Sequence, residues 1–332
     1  MKAAYYDRLG PASEVLVVGD VATPHPGPGE VRVRVAVSGL NPTDIKARTG
    51  YRGAMAYPRI IPHQDGAGVI DAVGTGVAPT RVGERVWIFE AQAGRAFGTA
   101  AQFVVVPEEN VVTLAPDISF ETGASLGIAA LTAHQCLFAD GDLEGKRVLV
   151  HGGAGVVGEA AILLAKWGGA WTAATVRSAA DAETARALGA DLVINMRAED
   201  TAAAVMAATG GAGVDRIVEV DLIANLDIDL GCLARGGAIS TYAVSEPTQA
   251  AVIPVLKAMG QCAVLRFVLI YNVPMDVKRR AVYDVTACLA AGAYRPTIGL
   301  VVPLEDIAAA HEALDARKIK GKILVSVASW SS

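Results

Sequence analysis

The sequence predicts an α/β protein of two domains, with a β-barrel-like domain followed by a doubly wound parallel sheet. Three observations lead to this prediction. Short β-like runs separated by turn signals fill residues 1 to about 120. Beyond that point, β-like runs alternate with helical patterns, as they do in parallel sheets. The glycine-rich stretch 153–158 lies between an apolar run and a helical pattern, which is the order strand, turn, helix.

The first domain is predicted to contain antiparallel strands. The clearest is 31–37, where valine alternates with arginine as in a half-buried strand. A run at 321–327 predicts a last strand that rejoins this domain near the C-terminus. We therefore place the first domain at 1–120 and 295–332, and the parallel-sheet domain at 121–294.

Composition bounds the function classes. A chain of 332 residues is long enough for two cores, and its 52% hydrophobic content suits a sheet buried on both faces. No apolar run approaches the roughly 18 residues of a membrane span, and the N-terminus lacks a signal-peptide core, so we expect a cytoplasmic protein. A net charge of -5 argues against a general nucleic-acid surface. The four dispersed cysteines form no CxxC pair, so neither a disulfide framework nor a zinc ribbon is indicated.

The glycine-rich stretch predicts a dinucleotide-binding turn. Gly153 permits a tight turn, Gly155 lets the backbone approach a diphosphate, and Gly158 lets the following helix pack close to the strand. The start of that helix offers unpaired N–H groups to an anion. A plain structural turn is the alternative. The predicted contacts are Gly153, Ala154, Gly155, Val156, Val157 and Gly158.

The end of the second strand of this region predicts the kind of dinucleotide. NAD-binding proteins usually carry an acid there for the ribose 2′-hydroxyl, but this chain carries Arg177 and Ser178. A guanidinium attracts a 2′-phosphate that a carboxylate would repel. We therefore predict NADPH as the cofactor. The alternative is that Arg177 is a solvated surface residue and that Asp181 restores a preference for NAD.

Several stretches resemble the medium-chain dehydrogenase/reductase superfamily, and within it the zinc-free quinone oxidoreductases of the zeta-crystallin type. The matching stretches are Gly39–Asp44, Pro62–Gly74, Val82–Val86, Ala124–Ala133 and Leu188–Asp191. The resemblance covers essentially the whole chain. It implies a GroES-like β-barrel-type domain plus a Rossmann domain, and a homodimer that pairs through the run 263–270.

The resemblance also addresses zinc. Zinc-dependent members of the superfamily use ligands at positions that correspond here to Asn41, Gln64 and Ile128. An amide is a poor zinc ligand and isoleucine is none. His63 lies one residue before a ligand position, so we interpret it as structural. We therefore predict no catalytic metal.

The catalytic candidates follow from the missing metal. Without a Lewis acid, hydride transfer favours quinones or alkenes conjugated to a carbonyl, where charge develops on an oxygen. Asn41 is the candidate for positioning that oxygen, because its NH₂ group donates; its alternative is a turn residue before Pro42. Lys46, Tyr51 or Arg52 would supply the proton or stabilise an enolate, unless they are solvated rim residues.

Further cofactor contacts are implied by resemblance or by position at the ends of strands. Thr132 would contact the nicotinamide ribose or ring, and its alternative is a helix hydroxyl bonded one turn back. Lys322 would reach the cofactor phosphates, unless it is a surface lysine. His151 lies at the mouth of the glycine turn, where a plain strand-end residue is as good an interpretation. The remaining candidates are Val220, Ala243, Phe267, Val268 and Leu269.

Together these features predict a zinc-independent, NADPH-dependent oxidoreductase that transfers hydride to a small-molecule quinone or similar conjugated acceptor. One alternative is an NADPH-dependent enone or enoyl (alkene) reductase. Another is a non-catalytic dinucleotide- or RNA-binding protein of the same fold. The acidic charge balance and the lack of a basic or aromatic stripe count against RNA. We expect no nucleic-acid or membrane partner.

Overall fold

The computed structural model describes residues 1–51, 53–244, 246 and 248–327. The strands are β1 (Lys2–Tyr5), β2 (Val17–Asp20), β3 (Glu30–Gly39), β4 (Asp65–Val73), β5 (Arg85–Ile88), β6 (Phe103–Pro107), β7 (Val111–Thr113), β8 (Arg147–Val150), β9 (Trp171–Val176), β10 (Leu192–Asn195), β11 (Val214–Glu219), β12 (Leu233–Thr241), β13 (Val264–Phe267), β14 (Ile298–Pro303) and β15 (Lys322–Ser326). The helices are α1 (Ala12–Val15), α2 (Pro42–Arg48), α3 (Phe120–Ser125), α4 (Gly127–Phe138), α5 (Val156–Trp167), α6 (Ala179–Ala187), α7 (Thr201–Ala208), α8 (Leu222–Cys232), α9 (Val255–Gln261), α10 (Met275–Ala290) and α11 (Ile307–Asp315). None of these helices is long and apolar enough to cross a membrane. The predicted α/β class is confirmed.

The chain divides into two compact units. The first comprises Met1–Ile128 and Pro296–Ser332, and the second comprises Ala129–Arg295. The predicted split at 295 lies beside the observed one. The predicted split after residue 120 comes too early, because α3 packs against β3 and β4 and so belongs to the first unit.

The first unit is built on a mixed sheet in which β3 is the central strand. The strand order is β14-β15-β3-β4-β5-β7, and β6 also pairs with β3. Alternate β3 valines, including Val33 and Val35, are fully buried beside Ile70 of β4 and Ile323 of β15. The predicted strand at 31–37 and the predicted return of the last strand are therefore confirmed, because β15 pairs antiparallel with β3.

The alanine-rich stretch 120–138 forms two helices, α3 and α4, which are separated at Leu126. Gly127, the first residue of α4, has a φ of 21°. A Cβ on Gly127 would collide with the Asp65 carboxylate. Asp65 Oδ1 accepts a hydrogen bond of 2.9 Å from the N–H of Ile128, so the carboxylate takes the place of a helical acceptor. Local sequence does not reveal this break, because the carboxylate that caps the start of α4 is remote in sequence.

The second unit contains a parallel sheet of strand order β10-β9-β8-β11-β12-β13. Its middle strands are apolar and buried on both faces, as Leu149 and Ile217 illustrate. The connections change direction between β8 and β11. In sheets of this kind a ligand binds at the carboxyl ends of the strands beside that point. The glycine-rich turn follows β8 and therefore lies there.

Two histidines form a buried pair in the first unit. His63 Nε2 lies 3.0 Å from His311 Nε2, and His63 Nδ1 lies 2.7 Å from Ser38 Oγ. Neither imidazole is exposed. Burial lowers the pKa of His63 well below its usual range, with His311 and Lys322 acting in the same direction. Burial, with Arg48, lowers the pKa of His311 to about 3. The structural interpretation of His63 is thus supported.

This pair predicts loss of stability in mild acid. Both pKa values are lower in the folded than in the unfolded chain, so the unfolded chain binds more protons once the pH falls below the unfolded value of about 6.5. The stabilisation from the neutral pair is fully present above that pH. At pH 5, protonation of His311 in the unfolded chain lowers the free energy of unfolding by about 2 kcal/mol. Between pH 7 and pH 5, the free energy of unfolding of the His311→Gln variant should fall by about 2 kcal/mol less than that of the parent chain. Chemical unfolding at the two pH values measures it.

The exposed His25 offers a matched control. His25→Gln should retain the acid sensitivity of the parent chain. Equal acid sensitivity in His311→Gln and the parent would contradict the interpretation of the pair.

Candidate dinucleotide and substrate sites

The glycine turn connects β8 to α5, and Gly155 is the N-cap residue of that helix. The residue with a positive φ is Gly152, at 69°, whereas Gly153 is not in that region. The tight turn that the sequence assigned to Gly153 is therefore made by Gly152. Gly153 serves packing instead, because a Cβ there would lie 2.8 Å from Cβ of Ala174 on β9.

The other two glycines leave the backbone at the start of α5 open, and their contact with a diphosphate stays a prediction. A Cβ on Gly158 would collide with the Gly152 carbonyl oxygen, so glycine is required for α5 to start this close to the turn. Gly155 is exposed, and the nearest neighbour of a Cβ there is the Gly152 oxygen at 3.3 Å. Its exposed backbone and the first N–H groups of α5 form a surface that fits an anion. Ala154, Val156 and Val157 are half-buried along the same surface.

The end of β9 carries the residues predicted to select the dinucleotide. Arg177 is exposed directly after the strand. Ser178 is the N-cap residue of α6, where its hydroxyl accepts from the Asp181 N–H at 3.1 Å and donates to the Asp181 carboxylate at 2.6 Å. Ser178 therefore has a capping role in addition to any cofactor role. The Asp181 carboxylate is engaged at the cap.

The remaining cofactor candidates of the second unit lie at different depths. Thr132 is buried on α4. Val220 and Ala243 are half-buried just beyond β11 and β12, as predicted from their strands. Phe267 and Leu269 have exposed side chains, and Val268 between them is buried, with its N–H bonded to the Thr241 carbonyl at 2.8 Å. Their cofactor contacts remain predictions.

A buried polar group lies behind the glycine turn that the sequence did not reveal. We call His151, Glu219 and Asp229 the His151 cluster. His151 Nε2 donates to Asp229 Oδ1 at 2.8 Å and lies 3.4 Å from Glu219 Oε2. At most 1% of any of the three residues is exposed. In the sequence, His151 and Glu219 are recognisable only as polar residues at the ends of two apolar strands, and Asp229 lies on the helix that follows the second strand.

The electrostatics of the His151 cluster are unusual. Burial would lower the pKa of His151, but the hydrogen bond to Asp229 and the charges of Glu219 and Asp229 raise it above its ordinary value. Burial, with the nearby Asp229, raises the pKa of Glu219 to about 7, although His151 opposes this shift. A carboxyl that titrates near neutrality therefore lies next to a histidine that favours its charged form.

Asn41 belongs to a second buried network, in the first unit. Lys322 Nζ donates to Asn41 Oδ1 and to Asp65 Oδ2, both at 2.8 Å, and Asn41 Nδ2 donates to Asp65 Oδ2 at 2.8 Å. Asn41 also forms the N-cap of α2, where its N–H donates to Asp44 Oδ2 at 2.7 Å. The positions of Lys322 and Asp65 fix which way the amide points.

Lys322 differs from both interpretations based on the sequence. It is 1% exposed, so the surface alternative is wrong. Its ammonium group donates to Asn41 and Asp65, and a contact with cofactor phosphates remains only a prediction. A lysine in a glycine-lysine pair gave no signal of burial, because its partners come from residues 41 and 65.

The positions that correspond to zinc ligands do not fit a zinc ion. The Asn41 oxygen already accepts from the Lys322 ammonium, and Ile128 has no donor atom in its side chain. Gln64 exchanges hydrogen bonds with Gln92 through its side-chain amide. An ammonium cation thus lies against the carboxylate and amide oxygens that a metal would need.

The structure brings two of the other catalytic candidates together. Lys46 Nζ lies 4.6 Å from the centroid of the Tyr51 ring, a cation–π distance. Both side chains are half-buried. Arg52 lies outside the described residues.

Family models match both units of the chain. One, described as the alcohol dehydrogenase GroES-like domain, matches residues 27–117. The other, described as a zinc-binding dehydrogenase, matches residues 156–286. The second range includes none of positions 41, 64 and 128, so the match does not bear on the zinc ligands.

Curated proteins match over nearly the full length. A quinone oxidoreductase of Pseudomonas aeruginosa is 31% identical, with 94% of this chain and 95% of that protein covered. A quinone oxidoreductase of Sus scrofa is 28% identical, with 98% and 97% covered. A 2-haloacrylate reductase of Burkholderia is 29% identical, with 98% of each chain covered.

Solved structures share the same fold. One described as an NAD-dependent alcohol dehydrogenase has a TM-score of 0.87 at 30% identity, with 99% of this chain and 100% of that chain covered. A mycobacterial protein complexed with NADPH has a TM-score of 0.85 at 25% identity, with 98% and 100% covered. This chain is an oxidoreductase that belongs to the quinone oxidoreductase family of the medium-chain dehydrogenases/reductases.

Proposed function

We propose that this protein is an NADPH-dependent reductase that transfers a hydride to a quinone or a similar conjugated acceptor without a catalytic zinc. The observation that carries the choice of cofactor is Arg177, which is exposed at the end of β9 where NAD-binding proteins usually have an acid. The Asp181 carboxylate, the rival feature, accepts a hydrogen bond from its own helix cap. The mycobacterial relative complexed with NADPH supports the same cofactor.

The chain's own groups suggest how the acceptor is activated. The NADPH nicotinamide supplies the hydride, and negative charge develops on the acceptor oxygen. Asn41 Nδ2 carries two hydrogens, and it donates one of them to Asp65 Oδ2. The second hydrogen is then available to the acceptor oxygen. The Lys322 ammonium on the amide oxygen polarises the amide and makes that hydrogen a better donor.

Such activation suits acceptors that take a hydride readily. A preorganised N–H donor stabilises a phenolate or enolate oxygen as it forms. Reduction of an unconjugated ketone would gain less without a Lewis acid. Quinones are the first candidate acceptors, because two of the relatives are named quinone oxidoreductases. The 2-haloacrylate reductase, named for a conjugated alkene, supports an alkene reductase as the second candidate.

A homodimer is part of the proposal. β13 is the last strand in the sheet order, so its outer edge has no strand partner among the described residues. Apolar side chains are exposed on β13 and on α9, the helix that precedes it in the chain. Phe267 is 72% exposed, Leu256 84% and Met259 67%. A second copy that pairs edge to edge would cover both the unpaired backbone and this surface.

Arg177→Ala tests the cofactor. The variant should bind NADPH about tenfold to thirtyfold more weakly, because a charged hydrogen bond to the 2′-phosphate is lost. Binding of NADH should change little. Fluorescence titration with both dinucleotides measures the two dissociation constants.

Arg235→Ala is the matched control, since Arg235 is an exposed arginine of the same unit. It should leave both constants unchanged. Tighter binding of NADH than of NADPH by the parent protein would contradict the cofactor assignment.

Chelation tests the chemistry. After dialysis against a chelator, the protein should oxidise NADPH with 1,4-benzoquinone at an undiminished rate, because Asn41, Gln64 and Ile128 do not form a metal site. Elemental analysis should find far less than one zinc per chain. A simple enone in a parallel assay separates the two acceptor classes, and a loss of turnover restored by added zinc would refute the proposal.

Leu256→Glu tests the dimer, because a charge in the exposed apolar surface opposes its burial. The parent should have a dimeric mass by light scattering at micromolar concentration, and this variant should shift toward the monomer. Val82→Glu, at an exposed valine of the first unit, should stay dimeric. A monomeric parent protein would rule the dimer out.

A further inference from the structure

Thr175 connects the His151 cluster to the glycine turn. His151 Nδ1 lies 3.2 Å from Thr175 Oγ1, and the Gly152 N–H donates to the same hydroxyl at 3.1 Å. The Gly153 N–H donates to the Thr175 carbonyl at 2.9 Å. The first two N–H groups of the turn are therefore held by one residue, whose hydroxyl contacts the histidine of the cluster.

Gly152 is the residue of the turn whose orientation matters most to the helix. It has the positive φ, and its carbonyl oxygen accepts from the Gly155 N–H at 2.9 Å. The same oxygen lies where a Cβ on Gly158 would be. A rotation of the Gly152 peptide would thus displace the start of α5, where an anion meets the first helical N–H groups.

The cluster also has a charge that can change near neutral pH. Glu219 ends β11, and Asn225 Nδ2 donates to both of its carboxyl oxygens at 3.0 and 3.2 Å. The ionisable groups that influence it are His151 from the end of β8, Asp229 from α8 and Tyr242 from the end of β12. Burial raises the pKa of Tyr242 above its ordinary value, so its phenol is neutral. The proton that is gained or lost near neutral pH therefore belongs to the coupled pair of Glu219 and His151.

The position of the His151 cluster behind the turn and its change of charge near neutral pH indicate one role, which rests on the proposed use of NADPH. We propose that the His151 cluster positions the diphosphate-binding turn through Thr175 and takes up a proton when the cofactor binds. The diphosphate adds negative charge beside a buried site of low dielectric, so the complex favours the protonated cluster. By linkage, NADPH affinity falls as the pH rises through the neutral range.

The positioning part is tested at Thr175. Thr175→Val keeps the side-chain shape and removes the hydroxyl, so the Gly152 N–H and His151 lose their common partner. NADPH binding should weaken about tenfold, the effect of leaving one buried donor unpaired. Thr175→Ser, which retains the hydroxyl, should bind within about threefold of the parent.

Thr172→Val is the control for this series. Thr172 is a buried threonine of the same strand, and its hydroxyl has no hydrogen-bond partner within the described residues. The control should match the parent. Amide hydrogen exchange at Gly152, measured without cofactor, should accelerate in Thr175→Val alone, which tests the turn even in a chain that binds no dinucleotide.

The proton is tested by pH. The parent's affinity for NADPH should fall about tenfold from about pH 6 to about pH 8.5, and Glu219→Gln should flatten that profile. The 2′-phosphate of NADPH also titrates near pH 6, but it does so equally in both proteins, so the ratio of their affinities isolates Glu219. Calorimetry of the parent in buffers of different ionisation enthalpy should find uptake of about half a proton at pH 7.

Three results would overturn the inference. The first is that Thr175→Val and Thr172→Val have equal NADPH affinity and equal exchange at Gly152. The second is that the parent and Glu219→Gln have parallel pH profiles and that no proton is taken up on binding. The third is that the parent contains a stoichiometric metal that His151→Gln loses. The last result would assign the cluster to a cation, since its three potential ligand atoms lie within 4.8 Å of one another. Failure of the parent to bind NADPH would instead defeat the proposed function, and Gly152 exchange would still decide the positioning role.

Discussion

The buried carboxylate of Asp65 is the constraint on which the first unit depends. One oxygen accepts from the backbone of Ile128, and the other accepts from Asn41 and Lys322. Three remote segments of the chain therefore meet at one side chain that is fully buried. Removing one partner of such a buried pair typically costs about 3 to 5 kcal/mol, because the remaining charge has no water to compensate it.

The same carboxylate links stability to chemistry. It caps the start of α4, and with Lys322 it orients the amide of Asn41. The Lys322 ammonium supplies positive charge to the amide without an open coordination position. In the function that we propose, such an amide suits acceptors that need one hydrogen bond, and it does not suit those that need a Lewis acid.

The second unit also contains a buried polar cluster, which lies behind the glycine turn. The surface at which we propose that a diphosphate binds is made of backbone, because side chains at Gly153 and Gly158 would collide with β9 and the turn. A backbone surface has no side chain of its own to adjust its shape or charge. In our proposal the His151 cluster adjusts both, since it contacts the turn through Thr175 and contains a carboxyl, Glu219, whose pKa is about 7.

The sequence by itself determined the fold class, the order of the strands and helices around the glycine turn, and the family. Those features depend on local periodicity and on residues that are neighbours in the chain, such as the valines of β3. It reveals less about the shortest elements, such as α1 and β2, because four residues carry too little periodicity.

Only the tertiary structure decided which polar residues work together. Lys322 contacts Asn41, which is 281 residues earlier in the chain, and His151 at the end of β8 contacts Asp229 of α8, which is 78 residues later. The structure also shows that Gly152 has the positive φ of the turn, whereas Gly153 packs against Ala174 of β9. Spacing along a chain predicts local geometry, whereas burial, partner choice and pKa depend on segments that only folding brings together.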